Sequence, residues 1–275
     1  IGRCANSMHQ GADMPGRITR VPGGVALNIA MALRRFGLAP SLLSAVGLDA
    51  EGDALISACA ARGVQTDMLY RSADLPTDQY MAIEASNGLV AAVADAHSLE
   101  AAGAKILEPL AAITDGFEGT VALDGNLTVD LLSQMARSAL LARADLRVAP
   151  ASTGKALRLF PFLETGRGTI YVNLEEAGLL CQTQFDTSRD AAQTLCARGA
   201  ARAVVTDGGS AASFAEGELL LSQTPPPVTV TRVTGAGDTF MAAHVAAELS
   251  GAAAGAALEQ ALAAAALYVA GKTTI

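Results

Sequence analysis

The chain alternates between two hydrophobic patterns. Short apolar runs that end in a polar residue or glycine are followed by stretches with apolar positions three and four apart. Gly23–Phe36, GGVALNIAMALRRF, opens on two glycines and then sets Val25, Ile29, Leu33 and Phe36 on one helical face, with Gly37 as its C-cap. Ser41–Val46 predicts a short buried strand, and Asp53–Arg62 a helix stopped at Gly63. Further on, Thr120–Leu123, Leu146–Ala149, Thr169–Val172 and Ala203–Thr206 read as strands, and Val129–Leu141 and Ala191–Arg198 as helical. This alternation predicts a parallel sheet covered by helices on both faces. Polar residues at the carboxyl ends of such strands line the crevice where ligands bind, which singles out Asp124, Asn126, Asn173 and Thr206.

Two segments break the rhythm. In Gln79–Ala94 the runs QYMAIEA and LVAAVA flank Ser86-Asn-Gly88, a strong hairpin signal, and predict a small accessory sheet placed as a lid. Ser213–Ser222 predicts a second small hairpin around Glu216-Gly217. Pro225–Pro227 interrupt the chain before a last strand expected over Val228–Val233. Ala252–Ala270 is alanine-rich, but Glu259 and Gln260 mark it as a packed helix and not a bilayer span. No internal repeat and no linker composition divides the chain, so residues 1–275 read as a single domain, with lid strands within 8–22 and 78–95. Ile1-Gly2 matches the end of an apolar strand at a βα junction, so the rest of that strand is expected ahead of Ile1.

Composition narrows the function classes. The chain has 275 residues, half of them apolar, enough for a sizeable core. The formal net charge is −8 and no Lys/Arg run reaches five, which argues against a nucleic-acid polymer as partner but not against a local anion site. Cys4, Cys59, Cys181 and Cys196 form no CxxC pair, and His9, His97 and His244 are far apart, so reduced thiols in a cytoplasmic protein are expected and a zinc site is not. No stretch reads as a signal peptide or a membrane anchor.

The densest candidate chemistry is Val233–Phe240, VTGAGDTF. Gly235-Ala-Gly237 predicts a turn, and a helix is expected from about Asp238. Helix N-termini carry unpaired N–H groups and partial positive charge, and small side chains let a phosphate approach them. Asp238 at the same place can accept the proton of an incoming hydroxyl. One turn thus offers both an anion hole and a base for phosphoryl transfer; the alternative is an ordinary helix cap. Gly23-Gly24 permits close backbone approach, and Asn28, one turn on, can donate to and accept from a sugar hydroxyl; the alternative is a tight turn. Asn173 with Glu176 could organise a hydrated Mg²⁺, although on residues alone an N-terminal capping box is the stronger reading. Two phosphate motifs fail. Phe240 stands at the last glycine of GxGxxG, and Ala266 at the first glycine of a P-loop ending Gly271-Lys-Thr-Thr274.

Taken together, GGVALNIAMALRRFG, AVGLDAEGD at Ala45–Asp53, NLEEA and TRVTGAGDTFMAA resemble, in order and spacing, the PfkB or ribokinase-like family of carbohydrate and nucleoside kinases over nearly the whole chain. The resemblance implies a three-layer α/β/α domain with a mostly parallel sheet and a small β lid. It implies Asp238 as base, Gly235, Ala236 and Gly237 as anion hole, and Gly23, Gly24 and Asn28, with Asp124 and Asn126, at the acceptor. It further implies Asn173 and Glu176 near phosphate and Mg²⁺, Glu176 acting through water, and Thr206, Gly208 and Lys155 at the nucleotide, with the helices of Ala254–Gly271 walling the adenine. ATP and Mg²⁺ follow as cofactors, a monovalent cation such as K⁺ as a further one, and a sugar or nucleoside as substrate. Within the family, TDQYMAIEASNGLVAAVADAHSLE, ALDGNLTVDLL and APASTGKALRL look similar to the pseudouridine kinase subgroup and favour transfer to a ribosyl 5′-hydroxyl. Other acceptors, namely ribose, fructose or an ordinary nucleoside, and a non-catalytic binding protein of the same fold, stand as alternatives. The sequence departs from the pattern at Arg3-Cys-Ala-Asn-Ser7, with no Asp before Asp13, at Ala149-Pro-Ala-Ser152, and at Asp207, where an apolar residue is usual. The apolar lid hairpin suggests a homodimer that covers its edge, against a lid packed only on its own domain.

Overall fold

The fold is described from a computed structural model, covering residues 1–8, 11, 13–86, 88–113 and 115–273. His9, Asn87 of the expected Asn-Gly turn and Thr274 lie outside the described residues. Strands β1 (Gly2–Cys4) and β2 (Gly16–Ile18) precede helix α1 (Val25–Arg35). A small unit follows, made of β3 (Ala45–Gly47), α2 (Ala50–Ala61) and β4 (Tyr70–Ser72). Strands β5 (Tyr80–Ala85) and β6 (Gly88–Ala94) lead into α3 (His97–Ala102) and a 3₁₀ segment, Gly103–Ala112. Then come β7 (Thr120–Asp124), α4 (Val129–Arg137), β8 (Asp145–Ala149), a 3₁₀ segment at Thr153–Leu159, α5 (Phe160–Thr165), β9 (Thr169–Asn173), α6 (Leu174–Cys181), α7 (Ser188–Ala197) and β10 (Arg202–Thr206). The hairpin β11 (Ala212–Glu216) and β12 (Leu219–Gln223) is followed by α8 (Ala236–Leu249) and α9 (Ala254–Val269).

The main sheet runs in the order β12-β11-β10-β9-β8-β7, with β7 to β10 parallel and the β11–β12 hairpin antiparallel on one edge. Alternation along the strands sorts the core into layers. Ile170, Val172, Ala203 and Val205 pack with Leu132, Phe162, Leu180 and Leu195 of α4 to α7. Tyr171, Val204 and Phe214 face the other way, onto Ile29 of α1, Phe240 and Met241 of α8 and Leu258 of α9. The result is a three-layer α/β/α fold. Helix α1 serves two cores: Ile29 and Ala32 meet the sheet layer, while Leu27, Ala30 and Met31 pack with Val46 and Cys59 of the β3–α2 unit. Its buried surface is therefore wider than the single expected face, and Phe36, at the C-cap, is exposed.

The small sheet has the order β2-β1-β5-β6 and forms the lid. Ile1-Gly2 read from sequence as a strand end at a βα junction; the strand instead runs over Gly2–Cys4 inside this sheet, antiparallel to β2 and parallel to β5. Below it, AVGLDAEGD forms a tight knot. Asp49 caps α2 through Gly52 N–H and also accepts from the Thr77 N–H and hydroxyl, at 2.6 to 2.7 Å. A Cβ on Gly52 would collide with the Gly47 carbonyl, so no other residue fits there unchanged.

One expected strand is absent. Val228–Val233 is loop, and the Thr231 and Arg232 N–H groups bond to the Val269 carbonyl at the end of α9 instead of to a neighbouring strand. The prolines before it offer no N–H for a ladder, and the helix end presents carbonyls that lack intrahelical partners. At the far end, α8 is fixed to the sheet by a half-buried ionic cluster. Glu248 pairs with Arg147 and Arg202, both of which also reach Asp145. His244 bonds the Tyr171 hydroxyl at 2.9 Å, and burial holds its imidazole neutral, down to about 4.

Candidate active site

The carboxyl ends of the parallel strands form a single rim. Asp124 is registered with Ala149, and Asn173 with Thr206, so these four residues line one edge of the sheet. The sequence-predicted residues gather there in two groups.

The first group is held together by hydrogen bonds across more than two hundred residues. Gly24 is the N-cap of α1 and, with φ +115°, adopts a conformation open to glycine; it brings no capping side chain. The cap comes from the sheet. Asp124 accepts from Ala26 N–H at 3.0 Å with Oδ2 and from Asn126 N–H at 2.6 Å with Oδ1. Asn28, in the first turn of the helix so fixed, donates from Nδ2 to Asp238 Oδ2 at 2.8 Å. Asp238 lies in the first turn of α8, whose N-cap is Gly235 at φ +89°, so the helix begins two residues earlier than expected. Burial pushes the Asp238 carboxyl up to about 6; the Asn28 bond opposes this and the Asp124 charge adds to it. Burial also raises Asp124, against its two N–H bonds and nearby Lys155.

Of the three residues expected to form the anion hole, Ala236 already donates its N–H to the Val233 carbonyl. The Gly237 and Asp238 N–H groups have no acceptor among the described residues, and a Cβ on Gly237 would meet nothing within 4 Å. The turn thus keeps open space and free donors at a helix N-terminus, beside a carboxylate poised to take a proton. Gly23 and Gly24 also face open space. Asn126 is tied by Lys155, whose Nζ donates to Oδ1 at 2.7 Å.

The second group lies two and three strands along the rim from Asp124. Asn173 and Glu176 make a complete capping box: Asn173 accepts from Glu176 N–H at 2.8 Å, and Glu176 Oε2 accepts from Asn173 N–H at 2.9 Å. Burial raises the Glu176 carboxyl, with the charge of Glu175 adding. Gly208, at φ +52°, faces open space beyond Thr206. Among the described residues no hydrogen bond or ion pair joins this pair to Asp238.

Sequence reasoning missed Arg158. Its Nη1 reaches the carbonyls of Gly125, Asn126 and Leu127 at 3.0 to 3.4 Å, and its Nη2 pairs with Glu100 of α3, just past the lid hairpin. Nothing in the local pattern around Arg158 marks it, because all its partners are distant in sequence.

A family model described as pfkB family carbohydrate kinase matches residues 5–275. The chain belongs to this family. It is a carbohydrate or nucleoside kinase, a phosphotransferase with an alcohol acceptor. Pseudouridine kinase of Escherichia coli (strain K12) is 29% identical over 247 residues, covering 88% of this chain and 77% of that protein. Among solved structures, a carbohydrate kinase from Agrobacterium tumefaciens superposes with a TM-score of 0.80 at 27% identity, covering 100% of this chain and 87% of that one. Arabidopsis thaliana ribokinase complexed with ribose and ATP superposes with a TM-score of 0.78 at 20% identity, covering 98% and 88%, and shares the fold.

Asp238→Asn tests the assigned base. We expect kcat to fall about 10²–10⁴-fold. A raised folded-state pKa means that the ionised carboxylate costs stability above pH about 6, and no such cost exists at low pH, where the proton is on. The variant should therefore melt no lower than wild type at pH 7, and wild-type kcat should fall below pH about 6 as the base protonates. Near-wild-type kcat in the variant, or a lowered Tm with an unchanged pH profile, would refute the assignment.

Proposed function

We propose that this kinase transfers the γ-phosphoryl group of ATP to the 5′-hydroxyl of a ribosyl compound, with pseudouridine as the acceptor. The observation that carries the reading is the Asn28–Asp238 bond, which places a carboxylate of raised pKa at the mouth of a helix with free N–H donors. The 29% identical pseudouridine kinase supports the choice of acceptor. In the reaction, the acceptor hydroxyl passes its proton to Asp238 as its oxygen bonds to the γ-phosphorus. The bond from that phosphorus to the β,γ-bridging oxygen breaks and ADP leaves. The free N–H groups of Gly237 and Asp238 and the α8 dipole stabilise the charge on the transferring group.

Gly23, Gly24 and Asn28 would face the acceptor. Both Asp124 oxygens are engaged by backbone, so its part is to hold α1, with Asn126 and Lys155 beside it. Thr206 and Gly208 would border the nucleotide, and α9 would wall the adenine. Among the described residues no three His, Cys, Asp or Glu side chains gather closely enough to cage a metal. The donor set fits an Mg²⁺ that arrives on the phosphates with its waters, one of which Glu176 would accept. When bound, that ion neutralises phosphate charge. Lid closure would exclude water from the transfer.

We place the enzyme in the cytoplasm, where ATP is at hand; its four cysteines are free, and among the described residues no helix is long and apolar enough to cross a membrane. We also propose a homodimer through the lid, since Ile18, Tyr80, Met81 and Val93 are more than half exposed on that sheet.

ADP release from MgATP, with pseudouridine, uridine, ribose, fructose or no acceptor, tests the acceptor. Release with pseudouridine alone is expected. Release with another member of the panel and not with pseudouridine refutes the acceptor while keeping the chemistry. Sedimentation of the same sample at micromolar concentration should show a dimer; a monomer would refute the lid interface.

A further inference from the structure

The turn that carries Gly235–Gly237 is not held by a strand. The last turn of α9 holds it. The Val269 carbonyl accepts from Thr231 N–H at 2.8 Å, Arg232 N–H at 3.2 Å and the Thr231 hydroxyl at 3.0 Å. The Tyr268 carbonyl accepts from Arg232 Nε at 2.9 Å, and the Tyr268 hydroxyl donates to the Thr234 carbonyl at 2.8 Å. The Arg232 guanidinium stacks on the Tyr268 ring, 3.8 Å from its centre. Two features of this arrangement exceed what a loop anchor needs. Arg232 Nη2 is enclosed and has no hydrogen-bond partner, and no carboxylate pairs with Arg232 among the described residues. Arg232 as a whole is half-buried, but an enclosed guanidinium nitrogen without a partner is unfavourable unless negative charge comes to it. The Tyr268 side chain links the guanidinium to the turn: Arg232 lies over its ring face, and its hydroxyl holds the Thr234 carbonyl just ahead of Gly235.

Resting on the kinase reading above, we propose that Arg232 is a fixed cation of the phosphoryl-transfer site. Held by Tyr268 behind the Gly235–Gly237 turn, it favours the negative charge that gathers there, acting through space in a medium of low dielectric. It is a positioning residue for charge and does not touch the acceptor. The same geometry disagrees with a monovalent cation beside this turn. The Val233, Thr234, Tyr268 and Val269 carbonyls around the turn each already accept a hydrogen bond, and the guanidinium would repel a cation placed among them. Turnover should then be indifferent to K⁺.

The test compares wild type, Arg232→Lys and Arg232→Gln in kinetics and in calorimetric MgADP binding, each in choline, Na⁺ and K⁺ buffers. Wild-type kcat is expected to vary less than about 2-fold among the cations. Arg232→Gln should lose about 10–100-fold in kcat and bind MgADP more weakly, with acceptor KM little changed. Arg232→Lys, which keeps the charge but loses the planar stack and the Nε bond, should recover most of both losses. A wild type activated more than about 5-fold by K⁺ would overturn the proposal. So would Lys and Gln variants equally impaired, the mark of a purely structural role, or a Gln variant that keeps both kcat and MgADP affinity. If wild type releases no ADP with any acceptor, the kinase reading fails on that result, and the MgADP comparison of the Lys and Gln variants still decides the role of Arg232.

Discussion

Asp124 is the joint on which the site turns. It ends β7, so its position is set by the sheet, and its two oxygens are spent on backbone N–H groups of two different segments. One of these is the open N-terminus of α1, which Gly24 leaves without a side-chain cap. A carboxylate at a helix N-terminus satisfies an orphan donor and complements the dipole. Supplied from the sheet, it also fixes where the helix starts. Asn28 is therefore delivered to a defined point, and Asp238 is bonded there. A buried carboxylate is costly alone, and removing it would leave two N–H groups unpaired. The residue thus serves geometry and chemistry at once: its charge is one of the causes that lift Asp238 toward neutrality.

The rest of α8 holds Asp238 still. The Glu248 cluster pins the helix at its carboxyl end, and α9 braces the loop at its amino end through Tyr268 and Val269. Between these supports the helix is almost wholly buried, from Thr239 to Ala247. The free N–H groups at Gly237 and Asp238 are thus carried on a rigid element, which suits electrostatic stabilisation by preorganised donors. The lid is attached differently. The two segments that border the lid strands are tied to the body, Thr77 ahead of β5 by Asp49 and Glu100 of α3 after β6 by Arg158.

How much of this was legible in the sequence depended on range. The parallel strands of the main sheet, the hairpins and the glycine turn announce themselves within a dozen residues, and the structure has them within a residue or two of expectation, whereas the strand expected over Ser41–Val46 is confined to Ala45–Gly47. The capping box of Asn173 and Glu176 was readable for the same reason. Val228–Val233 misled because Val228 and Val230 alternate with threonines and mimic a strand, while the partner that takes the Thr231 and Arg232 N–H groups is a helix end. Asp124 was readable as a strand-end carboxylate but not as the cap of α1, since no local signal ties it to a helix about a hundred residues earlier. Arg158 and Arg232 were silent altogether: each acts through carbonyls or a ring supplied by distant segments.

The central claim is that the Asn28 bond, delivered by the Asp124-capped helix, holds down the proton affinity that burial raises at Asp238. The pH dependence of kcat in Asn28→Ala measures this directly. The bond favours the ionised carboxylate, so its loss should move the acid limb above the wild-type value of about 6 while the protein stays folded. An acid limb unmoved in a folded variant would mean that Asn28 does not control the base, and the account of how α1 and the sheet build this site would be wrong.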